Sequence, residues 1–266
     1  MFGSKKYNVI RIFAAITFII MVTVNALANI LPINGQTTGE ISDYYANLFA
    51  PAGYTFSIWG LIYLLLLAYT IYQLGFFNNS RTDTDLLDKV GILFIISSIA
   101  NSIWVFAWHY NIIWLSLLLI IVVLISLILI NKEITNTNLT LKEKILVGIP
   151  FSIYFGWITV ATIANVTTFL VSINWNGFGI LDEIWTVIVL LVGFLISASV
   201  ILKNRSFLYG LTVIWAYTGI LVKHLSESGF NREYPSIISA VSIFITFLVI
   251  VTIYTLFTGK KKSMYS

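Results

Sequence analysis

The stretch from Ile112 to Asn131, IIWLSLLLIIVVLISLILIN, decides the fold class, because it runs without a single charged residue. A helix rises about 1.5 Å per residue, so about 20 apolar residues match a hydrocarbon core about 30 Å thick. Working outward, comparable runs occupy 9–31, 54–76, 89–109, 145–171, 184–202, 206–223 and 236–258, with their charges at or beyond the ends. Hydrophobic residues make up 59% of the chain and charged residues 10%, against roughly 25% charged in a soluble domain. The expectation is an all-α fold, a polytopic membrane helix bundle of about eight transmembrane helices with no soluble catalytic domain.

Basic residues near span ends are retained on the cytoplasmic side. With the N-terminus inside, cytoplasmic segments hold 13 of the 15 Lys and Arg residues, leaving only Lys223 and Arg232 outside. The expected localisation is therefore the cell membrane, multi-pass, with both termini cytoplasmic. The same anchors account for the net charge of +4, and nucleic acid is not an expected partner. Lys5 and Lys6, the apolar run and Ala26-Leu27-Ala28 also match a secretory signal with a small-residue cleavage site, whose removal would leave seven helices. The chain has no cysteine, which excludes disulfides and thiolate metal sites.

Two expected outside loops are longer than the rest. Residues 32–53 carry Glu40, Asp43, Tyr44, Tyr45 and a Pro51-Ala52-Gly53 turn signal, and 172–183 carries Trp175 and Asp182-Glu183. The inside loop 77–88 reads as a flexible linker.

Polar side chains inside spans face partners or a cavity. Asn25 and Asn29 lie one turn apart on the first span. On the third, Asn101, Trp104 and Trp108 share a face by i, i+3, i+7 spacing. Trp157, Ala161, Thr162 and Asn165 form another on the fifth, and Phe56, Trp59 and Tyr63 a third on the second. Counting rise per residue puts Asn101 and Trp157 near mid-span and the others in the outer half, so these faces can converge on one aromatic pocket. Such a pocket suits a flat hydrophobic ligand needing few hydrogen bonds. The ligand-binding candidates are Trp59, Tyr63, Asn101, Trp104, Trp157, Ala161, Thr162 and Asn165. Trp108, Trp114, Trp175 and Trp185 read as interfacial belt residues, while Trp215 and Tyr217 stay undecided.

At these positions the sequence resembles the tryptophan-rich sensory protein family (TspO/MBR), relatives of the mitochondrial translocator protein. Pro51 to Tyr63, PAGYTFSIWGLIY, is similar to the family's loop running into Trp-x-x-x-Tyr. Asn101 and Trp104 match its Asn-x-x-Trp, and Trp157, Ala161, Thr162 and Asn165 match its Trp-x-x-x-Ala-Thr-x-x-Asn. The resemblance implies a TspO/MBR-like five-helix membrane domain over 1–180 and a three-helix transmembrane extension over 181–266. It further implies a tetrapyrrole or drug-like ligand lined by Trp59 and Trp157, with Asn101 and Ala161 beside them. The chain departs from the family pattern in its loop, which offers only Pro51 and Tyr54, and in Pro150, which precedes Trp157 by seven residues instead of four.

The leading expectation is a membrane binding or sensory protein for a porphyrin-like or other flat hydrophobic molecule. The alternatives are a transporter or permease for a small hydrophobic molecule, and a membrane enzyme promoting light-dependent porphyrin breakdown through Trp59 and Trp157. Enzyme activity is the less favoured class, since no nucleophile-elbow or phosphate-loop pattern occurs. His109 and His224 read as solvated loop residues with no Asp or Glu at metal-ligand spacing, so no metal is expected. No cofactor is required, a tetrapyrrole being a ligand. The expected partners are the lipid bilayer and a hydrophobic small molecule, with a homodimer left open.

Overall fold

The computed structural model describes residues 2–31, 33–76 and 84–258, with side chains from Val9 onward. In chain order the helices are α1 (Phe2–Ile30), α2 (Thr38–Tyr44), α3 (Ile58–Gln73), α4 (Thr84–His109), α5 (Ile113–Asn136), α6 (Leu141–Glu143), α7 (Ile149–Ser172), α8 (Asp182–Asn204), α9 (Phe207–Leu225) and α10 (Pro235–Thr258). Among the described residues eight helical stretches are long and apolar enough to cross a bilayer, and no strand occurs. The protein is an all-α membrane helix bundle. A helix satisfies its backbone hydrogen bonds internally, which lipid cannot do for it.

Helix ends run past the apolar runs that mark the spans. α4 starts at Thr84, so Thr84–Asp88 form its first turn where a linker was expected, while 77–83 lie outside the described residues. α5 continues to Asn136, and Lys89 bonds Glu133 at 3.2 Å between the polar ends of the two helices. Hydropathy marks where the hydrocarbon stops; the backbone ladder continues beyond it.

The chain divides into two compact units, Met1–Ile41 with Ile58–Ile158, and Ser42–Ser57 with Thr159–Ser266. In the first, α1 packs on α3 and α4, and α4 on α5. Its core holds Tyr69, Phe94 and Phe151 in mutual edge-to-face contact, with centroids 4.7 to 5.7 Å apart. Gln73 is fully buried: it accepts from the Tyr69 hydroxyl at 3.0 Å and donates to the Leu87 carbonyl at 2.9 Å. Gly91 leaves room for that amide, which a Cβ there would strike.

The fifth span starts with a capping box, the Thr140 hydroxyl and the Glu143 carboxylate each bonding the other's backbone N–H. A π turn follows over Lys144–Gly148, in which the Ile149 N–H reaches Lys144. Proline removes an N–H and crowds the carbonyl four residues back, and the wider turn just before Pro150 absorbs that defect without ending the helix.

In the second unit α10 packs on α8 and α9. Small residues permit close approach, as is usual where lipid offers no hydrophobic drive between helices. Gly210 meets Thr252, Gly193 meets the Tyr217 hydroxyl, and Gly219 meets Thr55, each too closely for a Cβ. Tyr217 donates to the Leu190 carbonyl at 2.8 Å and Tyr209 to the Thr159 hydroxyl at 3.2 Å. Large apolar side chains such as Leu64, Leu118 and Leu195 point outward, the arrangement expected of a surface solvated by acyl chains.

Candidate functional site

Four aromatic rings of the first unit form one cluster. Trp59 and Tyr63, one turn apart on α3, stack with centroids 5.3 Å apart. Trp59 also meets Tyr154 and Trp157 of α7 edge to face, at 5.9 and 6.2 Å. Tyr154 and Trp157 are buried, while Trp59 and Tyr63 are partly exposed. Because Trp59 and Trp157 touch, no gap separates their rings, and a planar ligand would lie against the cluster instead of between the two indoles.

The polar groups beside this cluster are sparse. The Tyr63 hydroxyl is buried without a hydrogen-bond partner. That of Tyr154 lies beside the Asn101 side chain without a well-aligned bond. Asn101, itself buried, accepts at 2.8 Å from the Asn25 amide, which also donates to the Met21 carbonyl at 2.9 Å. Orphaned buried polar atoms are uncommon in folded proteins, so a hydroxyl waiting beside an aromatic face is a feature a ligand could use.

The structure therefore brings together Trp59, Tyr63 and Trp157, with Asn101 adjoining through Tyr154. Trp104 belongs to a different stack, with Trp108 at 5.6 Å. Ala161, Thr162 and Asn165 lie farther along α7, in the second unit, where Thr162 and Asn165 are buried. The sequence reasoning missed Tyr154, although it stands three residues before Trp157 and so shares its face. Helical spacing within α1 or α4 alone does not pair Asn25 with Asn101, which lies 76 residues on.

Three readings are corrected. Trp108 is buried within the protein instead of facing lipid headgroups as a belt residue does, and its indole N–H donates to the Thr38 carbonyl at 3.2 Å. His109 and His224 are both fully buried, not solvated. The His109 ring bonds the Ile33 carbonyl at 3.0 Å and the Thr38 hydroxyl at 3.2 Å, and its own carbonyl accepts from Asn34. The His224 ring donates to the Leu48 carbonyl at 2.8 Å and packs on Phe230. Both histidines thus moor the chain that connects α1 to α3, whose backbone groups need partners once it folds back on the helices.

Trp215, undecided from sequence, has a defined part. Within the second unit its indole donates to the Thr55 carbonyl at 3.0 Å and its ring carries Tyr54 edge-on at 5.5 Å. The Ala52 N–H donates to the Gly219 carbonyl at 3.0 Å. α9 thereby holds the 3-10 turn Gly53–Ser57, which runs straight into the α3 residues Ile58 and Trp59.

The sequence profile of the family described as TSPO-like protein matches residues 11–255, from α1 into α10. The chain belongs to the TSPO-like protein family. Comparison with curated proteins and with solved structures gives no match. The ring cluster of this TSPO-like chain is built on α3 and α7, and the matched region contains both helices entire.

Proposed function

We propose that this TSPO-like protein binds a flat hydrophobic molecule of the porphyrin type at the Trp59, Tyr63, Tyr154 and Trp157 cluster. The observation that carries the reading is the composite aromatic face, on which Trp59 is edge-on to two buried rings and stacked on a third while itself only partly covered. A planar ring system gains dispersion and offset stacking on such a face. The protein acts as a binding or sensory component, without ion-coupled transport. Ion-coupled carriers keep ionisable side chains at mid-membrane, and the charges of this chain stand at span ends. The first five spans carry the site, and both termini lie in the cytoplasm.

Titration of protoporphyrin into purified wild type, Trp59→Ala, Trp157→Ala and the exposed control Trp114→Ala tests this. An aromatic contact is worth about 0.5 to 1.5 kcal/mol beyond the area it buries, so either cluster substitution weakens binding by more than about tenfold. Trp114 is 57% exposed, and its loss leaves affinity unchanged. Equal affinities across all four proteins would leave the cluster as packing.

A further inference from the structure

The connection between α7 and α8, Ile173-Asn-Trp-Asn-Gly-Phe-Gly-Ile-Leu181, contains no charged residue. Four of its residues, Asn174, Gly177, Phe178 and Gly179, have positive φ. Two of these are glycines, for which that region is free; a residue with a Cβ, such as Phe178, enters it only at a cost. The turn is held in that state. The Asn176 side chain accepts from the Phe178 N–H at 3.1 Å, and the Trp185 indole donates to the Gly177 carbonyl at 2.7 Å. Trp175 packs on Trp185 at 5.0 Å. The result turns Phe178 outward: it is 79% exposed, and Leu181 is 68% exposed.

We infer that the Phe178–Leu181 tip is immersed in the lipid at the membrane interface. Past the acidic pair Asp182-Glu183 at the start of α8, exposed apolar residues resume one turn on in its outward stripe, namely Ile184, Ile188, Leu191 and Leu195 at helical spacing. Both flanking helices are long and apolar enough to span, so this stripe is solvated by acyl chains and the tip prolongs the same surface. Trp175 and Trp185 beneath it are residues favoured at headgroup depth. Interfacial anchors of this kind set the tilt and depth of the helix they terminate, here α7, which carries Trp157.

The absence of native cysteine makes the test direct. Phe178→Cys and, separately, Leu181→Cys are labelled with a nitrobenzoxadiazole fluorophore, with Glu227→Cys as an exposed loop control. Each protein is reconstituted in phosphatidylcholine nanodiscs with or without lipid spin-labelled high on the acyl chain, and titrated with iodide. The expected result is several-fold stronger quenching by the spin-labelled lipid at 178 and 181 than at 227, with protection from iodide. Iodide quenching at 178 and 181 equal to that at 227 would overturn the inference, as would protection from both quenchers, which would mean a protein partner or second copy covers the tip. The second labelled site keeps the result readable if the Phe178 substitution disturbs the turn.

Discussion

Asn101 carries more of the first unit than its size suggests. Its carboxamide oxygen is the partner of Asn25 across α1 and α4, in surroundings where neither amide has water to fall back on. Interhelical polar contacts in membranes are worth about 0.6 to 2 kcal/mol, so Asn101→Leu lowers unfolding stability in detergent by that order. Asn25 retains its bond to the Met21 carbonyl, which bounds the loss. A double-mutant cycle with Asn25→Leu isolates the pair; strictly additive effects would show that the two amides do not interact. Gly91 offers a sharper case, since a methyl there meets the Gln73 amide. Gly91→Ala forces that buried side chain off both its partners, and overpacking of this kind costs about 1 to 3 kcal/mol. Gly39, with open space around it, tolerates the same substitution, and comparison of the two melting temperatures checks the point.

Elements in this protein are held from far along the chain. The turn Gly53–Ser57 is fixed by α9, through Trp215 on Thr55 and Gly219 on Ala52. Trp215→Phe keeps the ring under Tyr54 and deletes the indole donor, so hydrogen exchange rises across 52–57 while the helix content stays constant. Unchanged exchange there would mean that backbone contacts alone hold the turn. α2 shows how pH enters. The Glu40 carboxylate accepts from the Thr37 N–H at 2.6 Å and from its hydroxyl at 2.9 Å, and these bonds pull its pKa below the ordinary glutamate value. A depressed carboxyl stabilises the fold above its unfolded pKa and loses that contribution as pH falls through the folded one, so α2 frays in acid. Glu40→Gln abolishes the acid-induced loss of exchange protection over 38–41, measured as protection factors so that the intrinsic pH dependence of exchange cancels. The spans themselves were legible because lipid imposes length and apolarity on each segment separately. The face of Trp59 and Tyr63, and that of Trp157, were legible from helical spacing. Contacts between elements were not: His109 and His224 look like loop residues until the chain at Ile33 and Leu48 folds back on them, and nothing local to Trp215 points to Thr55. Tyr154 is the exception, since its position three residues before Trp157 puts it on the same helical face.

At the scale of the molecule, the distribution of charge sets the direction in which the chain threads the membrane. Among the described residues eight stretches are long and apolar enough to span, and if all eight cross, the C-terminus returns to the side of the N-terminus. If that side is cytoplasmic, 13 of the 15 basic residues stand inside, and only Lys223 and Arg232 stand outside. Lys and Arg near span ends are retained during insertion, and acidic residues contribute little to the choice. The bias therefore predicts that the α1–α3 connection and the α9–α10 connection face outward. Single cysteines at Ser4, Ser42 and Glu227 in this cysteine-free chain report the sides independently. An impermeant maleimide applied to intact cells reacts at positions 42 and 227, and at position 4 only after the membrane is opened. Labelling at position 4 alone in intact cells would invert the topology, and with it the side from which a ligand reaches the Trp59 cluster. Labelling at 42 but not at 227 would mean that the last spans do not all cross.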